Sequence, residues 1–194
     1  MGMIRSKGDF VFTEESILQK LRFGYMSNPK YAVANLHVFD WESNFLVKTK
    51  AGYWYEVEVK ISREDFRNDR RHKAEKYDIL EGRKEGLRPN YFSYCVPQDL
   101  LEKVKDLIPD YAGVVIVTNS GYVQQKYAPA RLHSDKLSDE QLELTEKFYW
   151  NYANLRFDTG RIDAETKIKK LKGFISFLKA EYEAATGYSI NEVF

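Results

Sequence analysis

The feature that most constrains this chain is a pair of β-like runs separated by three residues. The first run spans residues 43–49 and the second spans residues 53–61. In the second run, apolar residues on one face of the strand alternate with the residues of the other face, which are Trp54, Glu56, Glu58 and Lys60. Between the runs lies Lys50-Ala51-Gly52, whose glycine suits the left-handed position of a three-residue hairpin loop. The two runs are therefore predicted to form an antiparallel hairpin.

A loop of this length also predicts the register of the hairpin. If Thr49 pairs with Tyr53, Asn44 lies opposite Glu58 and Glu42 lies opposite Lys60. Side chains two residues apart share a face, so one polar face is expected to carry Glu42, Asn44, Glu56, Glu58 and Lys60. Opposed residues have Cβ atoms about 4.5–5.5 Å apart, which would let two side-chain oxygens share one divalent cation.

This polar face admits two interpretations. Carboxylate and carbonyl oxygens suit Mg²⁺ or Mn²⁺, and such a cation polarises a phosphoryl oxygen and acidifies bound water. A lysine two residues after Glu58 would project on the same side, where it could position the water and counter the charge of the transition state. The alternative is a solvated strand face with an exposed Glu58–Lys60 pair, and the Glu-Val-Lys triplet alone favours that alternative.

The rest of the chain up to residue 137 predicts a mixed α/β domain. A helix follows Thr13 and ends before Gly24, residues 31–39 are either strand or loop, and Ser62 caps a helix that runs to about Tyr77. Strands are expected at residues 91–96, 111–118 and 122–128, with an amphipathic helix after Pro97. The run of valines and isoleucine at 114–117 indicates a strand buried on both faces.

The segment from residue 138 onward has a different character. Ser138 and Gln141 form a capping-box pattern, which predicts a helix to about Phe157, and a second helix is predicted from near Asp163. We therefore expect an α/β core over 1–137 and a C-terminal helical hairpin over 138–194, packed on that core. The aromatic stretch at 148–152 is typical of such packing, with binding of a partner as the alternative.

Several classes of protein are excluded by what the sequence lacks. The single cysteine, Cys95, permits no internal disulfide and no cysteine-based zinc site, and the three histidines have no metal-ligand spacing. The glycine motifs of dinucleotide-binding, P-loop and α/β-hydrolase proteins do not occur. No apolar run reaches the length of a membrane span, and residues 1–9 have no apolar signal region, so we expect a cytoplasmic protein without membrane contact.

The hairpin and its surroundings resemble the PD-(D/E)XK nuclease superfamily, most of all a small bacterial or phage-borne branch associated with DNA repair. The likeness covers residues 12–133. It is carried by four stretches, which are Trp41-Glu42-Ser43-Asn44, the run Glu56-Val57-Glu58-Val59-Lys60-Ile61-Ser62-Arg63-Glu64-Asp65-Phe66, the run Pro89-Asn90-Tyr91-Phe92, and Tyr111-Ala112-Gly113.

This resemblance implies a restriction-endonuclease-like core, in which a mixed central sheet is flanked by helices. It also implies Mg²⁺- or Mn²⁺-dependent hydrolysis of DNA phosphodiester bonds. Glu58 would be a metal ligand and Lys60 the catalytic lysine. An acid of the first helix often contributes in this superfamily, and here that acid would be Glu14 or Glu15.

One position departs from the family pattern. The superfamily places an aspartate opposite the glutamate, and this chain has Asn44 there, which offers a neutral oxygen without charge. Glu42 or Asp40 could supply the missing carboxylate. We therefore keep two functions open: an active or weakly active nuclease, and a catalytically impaired nucleic-acid-binding accessory protein of a repair or mobile-element system.

The net charge of +1 hides an uneven distribution of charge along the chain. Residues 60–76 hold seven basic and four acidic side chains, whereas residues 138–165 hold seven acids and three bases. The candidate phosphate contacts are Arg63, Arg67, Arg70, Arg71, Lys73 and Lys126. The alternative is a solvated helix with internal ion pairs. DNA is the expected partner, with RNA as a second option, and homodimer formation through the C-terminal helices is a third interpretation of the chain.

Overall fold

The computed structural model describes residues 10–144 and 147, together with residues 175, 176, 178–180, 182, 183, 186 and 187. The chain divides into two compact units with a boundary between Lys136 and Leu137. The first unit carries every strand of the described sheet and the candidate site.

A six-stranded mixed sheet is the centre of the first unit, with its strands in sequential order. The strands are β1 (Tyr31–Val38), β2 (Trp41–Lys48), β3 (Trp54–Val59), β4 (Tyr91–Pro97), β5 (Gly113–Val117) and β6 (Val123–Tyr127). The first three strands are antiparallel, β3 to β5 are parallel, and β6 is antiparallel to β5. The predicted mixed α/β class is confirmed, and residues 31–38, which the sequence left undecided, form a strand.

Four α-helices of the described chain flank this sheet. They are α1 (Glu14–Gly24), α2 (Arg63–His72), α3 (Ala74–Leu80) and the short α4 (Leu101–Val104), which has a 3₁₀ turn on each side. Helix α1 begins as predicted, because the Thr13 hydroxyl accepts the N–H of Ser16 while the Ser16 hydroxyl accepts the N–H of Thr13.

The single helix predicted from Ser62 to Tyr77 is wrong in one respect, since it is broken at Lys73. The backbone of Lys73 has φ −116° and ψ 37°, which separates α2 from α3. The Ser62 hydroxyl accepts the N–H of Asp65 as expected, but the Asp65 carboxylate accepts the N–H of Ile61 rather than that of Ser62.

The two faces of the sheet have different cores. Helix α1 packs on one face through Ile17, Leu18 and Leu21, against apolar side chains of β2 to β5 that include Phe45 and Val57. The opposite face carries aromatic rings of β4 and of the α2–α3 pair. Their ring contacts join Phe66, Tyr77, Phe92 and Tyr94.

The β2–β3 hairpin has the predicted register. Its pairs run from Lys48↔Trp54 to Phe45↔Val57, and its loop is closed by the bond from the Thr49 N–H to the Tyr53 carbonyl, 2.9 Å. Gly52 has φ 87°, as the predicted loop requires. The residue types of the loop therefore fix which side chains of the two strands meet.

The described part of the second unit begins with the predicted capping pattern. The Ser138 hydroxyl accepts the N–H of Gln141, and the Gln141 side chain accepts the N–H of Ser138. The two predicted helices and the aromatic stretch at 148–152 fall almost wholly outside the described residues. Among the helices that are described, none combines the length and the apolar composition needed to cross a membrane.

Candidate functional site

The polar side of β3 is buried under α2 and α3. Glu56 and Glu58 have no exposed side-chain surface, and Lys60, just beyond the strand, is 4% exposed. The interpretation of these residues as a solvated strand face is therefore wrong. Helices α2 and α3 cross this face and bring Asp69, Lys73 and Lys76 onto it.

Glu58 lies at the centre of this cluster and contacts three ammonium groups. Its Oε1 is 3.1 Å from Lys60 Nζ and 2.9 Å from Lys73 Nζ, and its Oε2 is 2.7 Å from Lys76 Nζ. Burial alone would raise the pKa of Glu58, but Lys76, Lys60 and Lys73 outweigh burial and hold this pKa well below its usual range. Glu58 is therefore a stable carboxylate.

Asp69 is a second junction of the cluster. Its Oδ1 lies 3.1 Å from Lys60 Nζ and 3.0 Å from Lys73 Nζ. Its Oδ2 accepts the Tyr77 hydroxyl, which in turn accepts the Tyr94 hydroxyl at 3.0 Å. Burial raises the pKa of Tyr77, so this phenol stays protonated and donates to Asp69.

Glu56, two residues before Glu58 on β3, completes the cluster. Its carboxylate accepts Lys76 Nζ at 2.7 Å and the indole N–H of Trp41 at 2.9 Å. The six charged groups are three carboxylates (Glu56, Glu58, Asp69) and three ammonium groups (Lys60, Lys73, Lys76), so their formal charges cancel. We call this set the buried ion network; burying charges in such a set is tolerated because each group is paired.

Asn44 and Glu14 form a separate hydrogen-bonded pair near the end of β3, and the charges of Lys60 and Glu58 act on Glu14. The Asn44 amide oxygen accepts the backbone N–H of Val59 at 2.9 Å, and its amide nitrogen donates to Glu14 Oε1 at 3.1 Å. Glu14 is exposed on α1, yet partial desolvation raises the pKa of its carboxyl group. The positive charge of Lys60 opposes this rise, and the negative charges of Asp65, Glu58 and Glu42 add to it. Glu14 is thus the acid of the first helix on which the charges of Lys60 and Glu58 act.

The predicted shared face holds for Glu56 and Glu58 but not for Glu42. The indole of Trp41 bonds Glu56, so at the start of β2 the odd-numbered residues face the network, and Glu42 is exposed instead. The reason is local: the β2–β3 ladder ends at Phe45↔Val57, because the Asn44 side chain takes the N–H of Val59. Asp40 lies exposed in the β1–β2 turn with φ 67°, and no described contact joins it to the network.

The site fits a divalent cation in part. Glu14 and Glu58 are hard oxygen donors, and a cation near them would relieve the repulsion that Asp65, Glu58 and Glu42 exert on Glu14. Asn44 accepts the Val59 N–H with its oxygen and directs its amide nitrogen to Glu14, so it adds no negative charge for a cation there. Within the described residues, no group of three or more His, Cys, Asp or Glu side chains is arranged to hold a metal ion.

The predicted basic surface of α2 divides into paired and unpaired side chains. Arg63 makes a two-pronged pair with Asp106 at 2.7 and 2.6 Å, Arg70 pairs with Glu81 at 2.8 Å, and Lys73 belongs to the network. Arg67, Arg71 and Lys126 are exposed, and no described acid lies within ion-pairing distance of them. These three residues are the cations of the predicted set that remain available to phosphate.

Sequence reasoning missed Asp69, Lys76, Tyr77 and Tyr94 as members of the site. A signal for the first two was present, since Phe66, Asp69, Lys73 and Lys76 recur at spacings of three and four and so share one helical side. That side is roughly opposite the side of Arg63, Arg67 and Arg71. The charge pattern does not distinguish the buried ion pairs of the inner side from the arginines of the outer side, of which Arg67 and Arg71 have no described acid partner.

Comparisons with known proteins add little to this geometry. No family model matches the chain, and no curated protein matches it. Among solved structures it is similar to the SPO1766 protein of unknown function from Silicibacter pomeroyi, with 18% sequence identity and a TM-score of 0.44. That similarity covers 68% of this chain and 84% of the other chain.

Proposed function

We propose that this protein is a divalent-metal-dependent DNA phosphodiesterase of the PD-(D/E)XK type, built on a restriction-endonuclease-like core. The observation that carries the proposal is the contact of Glu58 with Lys60 at the end of β3, beside a bonded pair of Asn44 and Glu14 whose acid is influenced by both charges. The order of helix, antiparallel strands, helix and parallel strand supports the same class.

In this proposal Glu14 and Glu58 would hold Mg²⁺ or Mn²⁺, which would supply Lewis-acid activation of a phosphate and of a bound water. Lys60 Nζ donates to Glu58 and lies beside Asp69, which places its positive charge next to the proposed metal ligand. It offsets negative charge that develops on the phosphoryl oxygens. Asn44 holds the carboxylate of Glu14 in position through its amide nitrogen.

The test is cleavage of plasmid and linear DNA with Mg²⁺ or Mn²⁺, with Glu58→Gln and Lys60→Met beside the unmodified protein. Both substitutions roughly conserve volume, and folding is checked by circular dichroism. We expect cleavage by the unmodified chain and a loss of at least about a hundredfold in each variant. Cleavage that continues unchanged in two folded variants would contradict the assignment of this site.

A second function, DNA binding without hydrolysis, is favoured by one specific observation. Both oxygens of Glu58 already face ammonium groups, and Asn44 presents an amide nitrogen where the superfamily has a carboxylate. In that case the protein binds DNA in a salt-sensitive manner and cleaves none with any cation. Binding is then weakened by Arg67→Glu with Arg71→Glu, because these exposed arginines would contact phosphates.

A further inference from the structure

Three tyrosines lie together at the end of β3 that is opposite to Lys60. Tyr55 of β3 and Tyr91 of β4 are register partners, and their rings stack with centroids 4.3 Å apart and an interplanar angle of 14°. Tyr53 meets Tyr91 edge-on at 6.2 Å. All three side chains are partly exposed, and Tyr55 also packs against the apolar core beneath α1, so the cluster is a surface feature that rests on that core.

Two basic side chains extend over these rings. The Arg131 guanidinium lies 5.1 Å from the Tyr53 centroid and 5.8 Å from the Tyr91 centroid, and its Nε donates to the Tyr91 hydroxyl at 2.8 Å. Lys136 Nζ lies 5.0 Å from the Tyr53 centroid. Both cations are exposed, and no acid of the described chain forms an ion pair with either.

The segment that carries these cations is fixed by buried hydrogen bonds. Asn90, which is fully buried, donates to the carbonyls of His133 at 3.2 Å and Asp135 at 2.7 Å, while its side-chain oxygen accepts the Trp54 N–H at 2.8 Å. The Leu132 N–H bonds back to the Asn90 carbonyl at 2.9 Å. Arg131 and Lys136 therefore belong to a preorganised segment, which lowers the entropic cost of binding a ligand.

We infer that Tyr53, Tyr55 and Tyr91, together with Arg131 and Lys136, form a binding site for single-stranded DNA, which we call the tyrosine platform. Aromatic side chains and guanidinium planes accept stacked bases of any sequence, and unpaired cations neutralise the phosphates between them. The choice of DNA rests on the proposed function of the buried ion network.

This placement also specifies the substrate class. Tyr53 and Tyr55 lie near one end of β3 and Glu58 and Lys60 near the other, so the platform and the candidate catalytic site lie roughly 16 Å apart along the strand. Tyr55 and Glu58 project from opposite faces of the sheet, so the platform does not open onto the candidate catalytic site. A DNA that has a single-stranded segment presents unstacked bases to the platform. The platform therefore favours such DNA over an intact blunt duplex.

The experiment is fluorescence anisotropy with a labelled 15-nucleotide thymidine strand in EDTA, so that binding is measured without cleavage. Tyr53→Ala and Arg131→Ala are each expected to weaken binding by about tenfold. Lys103→Ala, which removes one exposed charge from α4, is the matched control and should change binding by less than about twofold. Thermal unfolding of each variant verifies the fold.

A second strand without bases separates stacking from simple charge attraction. We expect the unmodified protein to bind an abasic strand of the same length at least about fivefold more weakly than the thymidine strand. Tyr53→Ala should bind the two strands equally. Equal binding of both strands to the unmodified protein, or unchanged binding in folded Tyr53→Ala and Arg131→Ala, overturns the platform. Neither result tests metal-dependent cleavage. If the unmodified protein binds the strand as expected but cleaves no DNA, only the nuclease proposal is contradicted.

Discussion

Glu58 shows at the scale of one residue how structure and proposed chemistry depend on the same group. It is fully buried, and three lysines depend on it for charge compensation. Removing one member of such a set leaves buried charges unpaired, which typically costs about 3–5 kcal/mol. Loss of cleavage in a Glu58 variant therefore needs a folding control before it is assigned to catalysis.

The depressed pKa of Glu58 gives a prediction on stability against pH. Its contribution to the free energy of unfolding is fully present above the carboxyl's unfolded pKa of about 4.3 and is lost as the pH falls below that value. Urea unfolding at pH 7 and pH 4 should show a smaller loss of stability on acidification in Glu58→Gln than in the unmodified protein. Equal losses in both proteins would contradict this assignment of the pKa.

Lys73 is the member of the network that can leave most easily. Its side chain is 36% exposed, whereas those of Lys60 and Lys76 are 5% and 2% exposed, and it lies at the break between α2 and α3. If Glu58 binds a divalent cation, the ammonium group of Lys73 competes with that cation for Oε1. Lys73→Met is expected to raise Mn²⁺ affinity by roughly tenfold, measured by electron paramagnetic resonance.

The control for this measurement is Lys103→Met, which removes an exposed charge from α4 and should leave Mn²⁺ binding unchanged. A folded Lys73→Met protein that binds Mn²⁺ no better than the control would argue against a cation at Glu58. The comparison needs no DNA, so it tests the metal site separately from cleavage.

At the scale of elements, the hairpin was predictable and its polar end was not. The Lys50-Ala51-Gly52 loop fixes the register, and residues 54–57 pair as the sequence predicts. The Asn44 side-chain oxygen replaces a backbone carbonyl as the acceptor for the Val59 N–H. The side chains at the start of β2 then no longer alternate between the two faces as predicted. Such a replacement depends on tertiary geometry, which period-two patterning does not contain.

Asn44→Asp tests how this element end could serve a metal site. The aspartate keeps an acceptor for the Val59 N–H but places a second carboxylate against Glu14, so we expect about 1 kcal/mol of destabilisation without divalent ions. Mg²⁺ should recover that stability and raise the melting temperature more than it does in the unmodified protein. The exposed Asn35→Asp serves as control, and an equal Mg²⁺ response in both variants would contradict the account.

The α2–α3 pair shows why the inner side of a charged helix is hard to predict. Asp69 and Lys73 were interpretable as an ordinary exposed ion pair at i,i+4, and nothing in the local sequence says that Glu58 would lie beneath them. The charge composition of 60–76 is the same in either case. Only the packing of Phe66 and Tyr77 against the β4 rings turns that side inward.

At the scale of the whole molecule, near-neutral composition coexists with separate sets of free cations. The buried ion network cancels within itself, while Arg67, Arg71 and Lys126 remain exposed without a described acid partner. The sequence predicted the α/β class and the basic segment, because both follow from patterning and composition. It did not separate neutralised from available charge, which depends on contacts such as Arg63 with Asp106.

This division of the arginines predicts how DNA binding depends on salt. Each phosphate contact contributes about 0.7–0.9 to the slope of log affinity against log salt concentration. Arg67→Ala and Arg71→Ala should each reduce the slope by roughly that amount, whereas Arg63→Ala should change it less because Arg63 is already paired with Asp106. Equal slopes in all three variants, from binding titrations at several salt concentrations, would contradict the division.

The claim that Glu14 belongs to a metal-dependent phosphodiesterase site is tested most directly by measuring Mn²⁺-dependent DNA cleavage. The rates of Glu14→Gln and Glu15→Gln are compared with that of the unmodified protein. Glu14 is exposed, so its substitution leaves the buried ion network in place, and its neighbour on α1 provides a matched change of charge. We expect Glu14→Gln to lose at least about tenfold in single-turnover cleavage rate and Glu15→Gln to retain the rate of the unmodified protein. Equal rates in both variants, or no cleavage by the unmodified protein with any divalent cation, would contradict this claim.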